Sequence, residues 1–258
     1  MDIIQAIILG IAQGLTEFLP VSSSGHLALL QNLFGFKEPP IFFDTLVHLA
    51  TLLAVVFYLR YEILHILKTL KEKQTIKLVF LLILATIPAV LAGLFLQDKI
   101  DNIFTSLSLI GVCFLITSVI LFATKFFADY KKEEKDLNWF DALFIGIFQA
   151  VAILPGVSRS GSTISASIYR GLKKEDAFKF SFLLSIPVIF GAFVLQMVKQ
   201  DLSLLNGSLL PYIIGFLFAV IFGFLSLKII EKVVIKGKLH YFAIYTLILG
   251  LITLIFIK

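Results

Sequence analysis

The sequence predicts an all-α integral membrane protein made of two inverted repeats, each a re-entrant helical hairpin plus three transmembrane helices. The prediction rests on long apolar runs, an internal duplication and the distribution of lysine and arginine. Of the 258 residues, 59% are hydrophobic, above the roughly 45–50% typical of soluble domains. Several runs reach the roughly 18–20 apolar residues that cross a bilayer. They leave no room for a separate soluble domain, so we expect one polytopic membrane domain over residues 1–258.

The sequence repeats itself in two polar stretches. Residues 10–26 read GIAQGLTEFLPVSSSGH, and residues 146–162 read GIFQAVAILPGVSRSGS. Aligned without a gap, the stretches share polar residues in register: Gln13 with Gln149, Ser22 with Ser158, and Ser24 with Ser160. Such identities indicate a duplication rather than a chance likeness of two apolar segments. We place the first repeat at about residues 1–124 and the second at about 138–258.

Basic residues predict the side of the membrane on which each loop lies. Lysine and arginine are concentrated in four loops, at residues 60–77, 125–135, 170–179 and 228–238. The other polar stretches carry one lysine each, at Lys37, Lys99, Lys199 and Lys258. Cytoplasmic loops are enriched in basic residues, so the four basic loops are expected in the cytoplasm and the others outside. These loops also account for the net charge of +5 without a nucleic-acid partner.

Six apolar stretches connect these loops and are predicted to span the membrane: residues 41–59, 78–97, 104–124, 180–198, 209–227 and 240–257. Residues 140–169 instead leave a cytoplasmic loop and return to one, and the interruption PGVSRSG predicts a re-entrant hairpin. The duplicate, residues 1–35, is expected to form a matching hairpin that enters from outside. Because each repeat has an odd number of spans, the second is inverted, both termini lie outside, and the two breaks meet near the midplane.

The first break brings an acid, hydroxyls and an imidazole close together in sequence. Gln13 and Glu17 are four residues apart and share a helix face. Pro20 ends that helix, because the residue before a proline is biased away from helical angles. The SSSG that follows supplies hydroxyls and a helix N-terminus, which attracts anions. His26 comes directly afterwards.

The second break carries an arginine in the same frame of serine and glycine. Arg159 stands where the first repeat has Ser23, and its hydroxyl-bearing neighbours are Ser158, Ser160 and Thr163. A guanidinium holds phosphate through a bidentate fork, and an ionisable side chain inside a membrane indicates a functional site. The structural alternative is a salt bridge from Arg159 to Glu17 that pins the repeats together and leaves His26 without a role.

Two further polar features lie within predicted spans. Asp44 and His48 are four residues apart. We expect them either to hydrogen-bond each other as a buried structural pair or to orient the site. The single cysteine, Cys113, excludes an intrachain disulfide and a cysteine-based metal site. It is expected to be buried as a small apolar side chain.

Together, the two breaks resemble the signature motifs of the bacitracin-resistance family of undecaprenyl-diphosphate phosphatases. That family has Glu or Gln-x-x-x-Glu followed by Pro-Val-Ser-Ser and Gly-His, and then Pro-Gly-x-Ser-Arg-Ser-Gly-x-Thr. Here the first motif runs from Gln13 to His26 and the second from Pro155 to Thr163. The resemblance, which covers the whole chain, implies hydrolysis of undecaprenyl diphosphate to the monophosphate. It also implies recycling of the lipid carrier of cell-wall peptidoglycan synthesis, bacitracin resistance, and a site open to the outer face of the bacterial plasma membrane.

The residues of the two breaks are given the following roles. Ser23 is expected to attack the terminal phosphorus, because the duplication places it opposite Arg159. Glu17 is expected to act as its base, either directly or through a divalent cation, Mg²⁺ or Ca²⁺. His26 is expected to protonate the leaving lipid phosphate or to activate water; a competing hypothesis makes His26 the nucleophile. Phosphate binding is assigned to Ser22, Ser24, Ser158, Ser160 and Thr163, and supporting roles to Gln13, Asp44 and His48. Because residue 13 is Gln, a two-carboxylate metal site is less well supported, and Glu17 is the candidate metal ligand. No organic cofactor is expected.

Two classes of function remain. The first is an integral-membrane phosphatase. The second is a transporter or flippase for an anionic lipid or solute, which inverted repeats with broken helices also indicate. A transporter needs only a site for the anion, whereas hydrolysis also needs a nucleophile and a proton donor, so His26 and the serine run favour the phosphatase. The expected partners are the polyprenyl diphosphate and membrane lipids, with homo-oligomerisation left open.

Overall fold

The computed structural model describes residues 1–36, 40–96, 103–104, 106–127, 131–199 and 209–256. Over these residues the regular structure is helical, apart from one isolated bridge between Lys132 and Leu172. The principal helices are α1 (Ile3–Phe18), α2 (Ser23–Leu33), α3 (Ile41–Tyr58), α4 (Arg60–Lys68), α5 (Lys73–Phe95), α6 (Leu107–Ala123), α7 (Trp139–Val151), α8 (Arg159–Tyr169), α9 (Lys174–Lys199), α10 (Leu210–Ile235) and α11 (Tyr241–Phe256).

In the part of the chain that the structure describes, five helices are long and apolar enough to cross a membrane, and they match five of the six predicted spans: α3, α5, α6, α9 and α10. The sixth predicted span corresponds to α11, which has 16 residues in the described part of the chain and measures about 24 Å at 1.5 Å per residue. It is apolar but shorter than the roughly 30 Å hydrocarbon core of a bilayer. The architecture is that of an all-α, multi-pass membrane protein.

Several helices extend beyond the apolar runs from which they were predicted. Helix α9 begins at Lys174 rather than near residue 180, and α10 continues to Ile235 rather than to residue 227. The basic stretch 60–77 contains helix α4 instead of a continuous loop. Hydropathy reports the part of a helix suited to lipid, whereas helical hydrogen bonding continues through lysine and glutamate, which are good helix formers. The predicted boundaries were therefore too short at these ends.

Both predicted helix breaks are present. The first separates α1 from α2, with Ser22 as the N-cap of α2, and the second separates α7 from α8, with Ser158 as the N-cap of α8. In each cap the serine hydroxyl accepts a hydrogen bond from the backbone N–H three residues later, the usual geometry of an N-cap. Pro20 and Pro155 lie in the two non-helical links. The duplication seen in the sequence thus corresponds to two similarly capped breaks.

Close packing of backbones fixes the position of the first break. Helix α1 packs along α10, and α7 packs along α5. A Cβ atom at Gly10 would collide with the carbonyl oxygen of Gly215, and one at Gly14 would lie 2.8 Å from that of Ala219. Small residues permit such approach between membrane helices. The end of α1 is therefore held at a defined place against α10.

The interior of the molecule surrounds the second hairpin. Residues 160–168 of α8 are buried, and the ring of Phe18 at the end of α1 meets Phe182 of α9 edge-on at a centroid distance of 5.6 Å. Cys113 is buried, as expected. Trp139 begins α7 with 61% of its surface exposed, as befits an aromatic residue at a membrane interface. Both breaks consequently lie among packed helices rather than at the surface.

The assignment of loops to the two sides of the membrane stays a prediction. The single lysines of the expected external stretches at Lys37, Lys99 and Lys258 fall outside the described residues, and Lys199 is described only as the last residue of α9. The inversion of one repeat relative to the other and the repeat boundaries also stay predictions.

Candidate active site

Glu17 is the centre of a buried polar cluster in which the two breaks meet. It lies in the last turn of α1, and 8% of its surface is exposed. Its Oε2 accepts hydrogen bonds from the Ser23 hydroxyl at 2.6 Å and from Nε2 of Gln13 at 3.1 Å. Its Oε1 accepts from Nη2 of Arg159 at 2.7 Å. Residues predicted separately from the two breaks therefore contact one carboxylate.

One terminal nitrogen of the Arg159 guanidinium is hydrogen-bonded, whereas the other has no partner among the described residues. It is the first residue of α8, and 13% of its side chain is exposed. While Nη2 is paired with Glu17, Nη1 is buried and has no hydrogen-bond partner among the described residues. A buried charged donor left without an acceptor is costly. This N–H edge belongs to the guanidinium that shares the Glu17 carboxylate with the Ser23 hydroxyl, and it is suited to an anionic oxygen.

The capping serines join the two breaks directly. The Ser22 hydroxyl accepts from the backbone N–H of Gly25 at 3.4 Å and from that of Gly156, in the second break, at 3.0 Å. Ser22 has φ of +67°, a conformation that side-chain-bearing residues rarely adopt and that persists only when the surroundings enforce it. The bond to Gly156 is part of that enforcement. The half-buried Ser24 lies 3.3 Å from Ser22, hydroxyl to hydroxyl.

The hydroxyls of the second break are turned toward the protein. Oγ of Ser158 accepts from the N–H of Gly161, and its own N–H donates to the Thr117 hydroxyl. Oγ of Ser160 lies 3.3 Å from that of Ser158. The hydroxyl of Thr163 donates to the carbonyl of Arg159 and lies 2.5 Å from the hydroxyl of Ser181 on α9. Their hydrogen bonds cap α8 and fasten it to its neighbours.

His48 is the imidazole that contacts the carboxylate. Its Nε2 lies 3.6 Å from Oε2 of Glu17, and its Nδ1 donates to the backbone carbonyl of Asp44 at 2.7 Å. The carboxylate of Asp44 accepts instead from Gln31 of α2 at 2.7 Å. The expected pair is thus hydrogen-bonded, but through the backbone, because the ring folds back along the helix to the carbonyl four residues earlier.

His26 lies on another side of the first break. Its Nδ1 is 2.7 Å from the carbonyl oxygen of Ser22, and its Nε2 is 2.7 Å from the hydroxyl of Tyr245 on α11. The ring stacks parallel to that of Tyr245 and meets Phe114 edge-on. His26 therefore lies outside the Glu17 cluster, and both of its ring nitrogens are hydrogen-bonded.

Comparison with known proteins identifies the relatives of this chain. Residues 6–252 match the family described as Bacitracin resistance protein BacA. The chain belongs to this family. A relative named undecaprenyl-diphosphatase from Carboxydothermus hydrogenoformans is 45% identical over 99% of this chain and 97% of its own. Relatives of the same name from Alkaliphilus metalliredigens and Methanococcus maripaludis are 42% and 41% identical, over 99% and 98% of this chain and 99% and 100% of theirs. The family resemblance predicted from the two motifs is confirmed.

The residues at the centre of this BacA-family site offer a limited set of metal ligands. Within the described ranges, no group of three or more histidine, cysteine, aspartate or glutamate side chains could hold an ion. Among the described residues, Oε1 of Gln13 is nevertheless buried without a hydrogen-bond partner, on the same side chain whose Nε2 donates to the Glu17 carboxylate. Mg²⁺ prefers oxygen ligands and is commonly bound by one or two carboxylates together with substrate phosphates. The donor set fits an ion shared with a diphosphate rather than one caged by protein.

Sequence reasoning missed several residues that build the site. Gln31 holds Asp44, Thr117 contacts both Gly156 and Ser158, and Tyr245 holds His26. Gln31 follows the first BacA motif by only five residues, and its amide in an apolar helix was an available signal. Thr117 and Tyr245 stand in otherwise apolar spans far along the chain, where nothing in the local pattern distinguishes them.

Proposed function

We propose that this chain is an integral-membrane phosphatase that hydrolyses undecaprenyl diphosphate to undecaprenyl phosphate and inorganic phosphate. The observation that carries the proposal is the Ser23 hydroxyl donating to Glu17 at 2.6 Å, with Arg159 paired to the same carboxylate through Nη2 and its Nη1 left without a partner among the described residues. Relatives at 45% and 42% identity carry the name undecaprenyl-diphosphatase. The reaction recycles the lipid carrier of cell-wall synthesis, and it confers resistance to bacitracin.

In the first step Ser23 is the nucleophile. A serine hydroxyl needs a base within hydrogen-bond reach, and Glu17 is within that reach. As the bond from Ser23 Oγ to the terminal phosphorus forms, the hydroxyl proton passes to Glu17. The bond from phosphorus to the bridging oxygen breaks, and undecaprenyl phosphate leaves. The product on the enzyme is a phosphoserine.

In the second step water resolves the phosphoserine. The bond from the water oxygen to phosphorus forms, the bond from phosphorus to Ser23 Oγ breaks, and inorganic phosphate leaves. The proton held by Glu17 returns to Ser23. His26 is three residues after Ser23 on α2 and takes the proton from the attacking water.

Arg159 and the helix N-terminus of α2 bind the phosphoryl oxygens. Nη2 has a second N–H besides the one that it donates to Glu17, and together with Nη1 it forms a planar fork that matches two oxygens of one phosphate. As the terminal phosphate enters, Nη1 gains the acceptor that it lacks among the described residues. Ser24 and the N–H groups at the start of α2 are the further donors. His48 supports Glu17 from α3.

Glu17, Gln13 and Ser23 are the residues that would hold a divalent cation, Mg²⁺ or Ca²⁺. Such an ion, when bound with the diphosphate, would neutralise charge on the phosphoryl oxygens. Gln13 contributes its amide oxygen, which is buried and unpaired in the described structure.

The proposed placement puts the site toward the outer face of the plasma membrane, between two inverted repeats. The helix packing supports the relation between the repeats, because each first hairpin helix lies along a long helix of the other repeat: α1 along α10, and α7 along α5. The third span of each repeat, α6 and α11, pack against each other. This exchange of partners is what a two-fold relation between the repeats requires.

The alternative, a transporter or flippase for an anionic lipid, uses the same fork and helix N-terminus. It gives no reason for a serine hydroxyl hydrogen-bonded to a buried carboxylate. The test is phosphate release from undecaprenyl diphosphate by the detergent-purified protein. We expect hydrolysis by the parent and by Ser165→Ala, a buried serine on α8 beyond the second motif, and its loss in Ser23→Ala. Absence of hydrolysis by the parent, together with lipid movement in proteoliposomes, would contradict the proposal.

A further inference from the structure

Tyr245 makes a contact that the mechanism above does not explain. It lies on α11, near the other end of the chain from His26, and its hydroxyl is 2.7 Å from Nε2 of the imidazole. The two rings are parallel to within 4°, with centroids 5.8 Å apart. Phe114 contacts the imidazole edge-on, with ring centroids 5.5 Å apart and an interplanar angle of 86°. Stacking, edge contact and hydrogen bond together define one orientation of the His26 ring.

The hydrogen bonds also define the protonation of that ring. A carbonyl oxygen only accepts, so Nδ1 of His26, at 2.7 Å from the carbonyl of Ser22, carries a hydrogen. In a neutral imidazole the other nitrogen is then an acceptor. The Tyr245 hydroxyl therefore donates to Nε2. In this state His26 offers a base rather than an acid.

We propose that Tyr245 is a positioning residue that holds His26 in the neutral form with hydrogen on Nδ1 and with Nε2 ready to accept a proton. The proposal rests on the proposed function, and it assigns His26 to the second step, as base toward the water that cleaves the phosphoserine. Nε2 leaves the Tyr245 hydroxyl and accepts a proton from water, while the water oxygen bonds to phosphorus. The bond to Ser23 Oγ breaks and Ser23 recovers its proton from Glu17. His26 then returns its proton to solvent.

The two nitrogens of His26 have partners from different parts of the chain: Ser22 at Nδ1 and Tyr245 at Nε2. The Ser22 carbonyl is supplied by the same break that supplies the nucleophile, so it couples the imidazole to the first hairpin. Tyr245 comes from the predicted second repeat, so the resolving base is complete only when α11 packs beside α2 and α6. The phenol remains half exposed, at 47% of its surface, and is free to release Nε2 without disturbing the core.

The test is a double-mutant cycle on kcat with Tyr245→Phe and His26→Gln, since phenylalanine keeps the stacked ring and removes only the hydroxyl. We expect Tyr245→Phe to lower kcat about tenfold, a part of the roughly 10²–10⁴ that a general base contributes, with KM nearly unchanged. His26→Gln should lower kcat further, and the double variant should be no slower than His26→Gln alone. Tyr241→Phe, an exposed tyrosine on the same helix, is the matched control and should behave as the parent. Losses that multiply in the double variant would overturn the proposal.

Two further readouts separate this proposal from the proposed function. Because His26 acts in the second step, Tyr245→Phe and His26→Gln should release a burst of undecaprenyl phosphate, stoichiometric with enzyme, before a slow steady rate. Nitrogen NMR of the His26 ring in the detergent-solubilised parent should show hydrogen on Nδ1 and an acceptor at Nε2, and Tyr245→Phe should alter the Nε2 signal. An Nε2–H tautomer in the parent would overturn the positioning role whether or not the protein hydrolyses lipid. A parent without hydrolysis but with the expected tautomer would contradict the proposed function alone.

Discussion

At the scale of single residues, one carboxylate organises the site. Glu17 receives hydrogen bonds from Ser23, Gln13 and Arg159 and lies 3.6 Å from the His48 imidazole. A buried ion pair gains little stability over apolar packing, although breaking one leaves an uncompensated charge. The presence of the Arg159–Glu17 pair is better explained by the phosphoryl group that Nη1, unpaired among the described residues, is suited to bind.

Arg159→Lys is the first prediction at this scale. Lysine keeps the positive charge but not the planar fork that matches two phosphate oxygens. Removal of one such donor costs about 10²–10³ in kcat in other enzymes, and we expect a loss of this order with the thermal unfolding temperature little changed. The measurement is phosphate release alongside a thermal melt in the same detergent. Hydrolysis at the parent rate would contradict bidentate binding.

A second prediction separates catalysis from a purely structural salt bridge. Glu17→Gln leaves Arg159 without its anionic partner and should lower the thermal unfolding temperature. In the double variant Glu17→Gln with Arg159→Gln no charge is left unpaired, so stability should recover while hydrolysis stays absent. Recovery of hydrolysis together with stability would support the salt-bridge alternative instead.

Sequence alone was sufficient to predict that Glu17, Ser23 and Arg159 meet, but the expectation that His26 joins them was wrong, because its ring is held by Ser22 and Tyr245 instead. Glu17, Gln13 and Ser23 are neighbours along one break, and Arg159 follows from the duplication, so local spacing placed them together. The partners of His26 could not be predicted, because Tyr245 is brought to it by helix packing across the whole chain. The hydrogen bond from the backbone N–H of Gly156 to Ser22 could not be predicted either, because every residue except proline has a backbone N–H and the sequence does not show which one is used.

At the scale of helices, close glycine contacts determine where the C-terminal end of α1, which bears Glu17, lies against α10. Gly10 and Gly14 face the backbone of α10, where a Cβ atom has no space. The breaks and their serine caps followed from proline and serine in the sequence. The ends of the long helices did not, because lipid-facing hydropathy stops before the helical hydrogen bonding does.

Gly10→Ala is the prediction at this scale. Its methyl group would collide with the carbonyl oxygen of Gly215 and push α1 away from α10, so we expect a lower unfolding temperature and weaker hydrolysis. Gly93→Ala is the matched control, since a Cβ atom there has no neighbour within 4 Å among the described residues. In a helix interior alanine is favoured over glycine by about 0.5–1 kcal/mol, so the control should be neutral or stabilised. Equal behaviour of the two variants would contradict the role of close packing.

At the scale of the whole molecule, the two hairpins meet because each is packed on a long helix of the opposite half. This arrangement places residues from both breaks on the Glu17 carboxylate. The proposed inversion of the repeats orients the molecule in the membrane, and the loops that carry few lysines are expected on the external side. The basic loops, in turn, are expected to face the cytoplasm.

Cysteine labelling tests that direction. In a Cys113→Ala background, Lys37→Cys should react with a membrane-impermeant maleimide in intact cells, whereas Lys71→Cys should react only after permeabilisation. The two positions lie on opposite sides of the first predicted span, and each replaces a lysine, so the variants serve as controls for each other. Labelling of both residues from the same side would contradict the topology.

If Ser23 is the nucleophile, a covalent phosphoserine forms during turnover and can be trapped. Enzyme quenched during turnover of undecaprenyl diphosphate labelled in the terminal phosphate should carry the label, and peptide mapping should locate it on Ser23. The His26→Gln variant should accumulate more of it, because the resolving step is slowed, and Ser23→Ala should carry none. A label on a histidine, or near-normal hydrolysis by Ser23→Ala, would contradict the account.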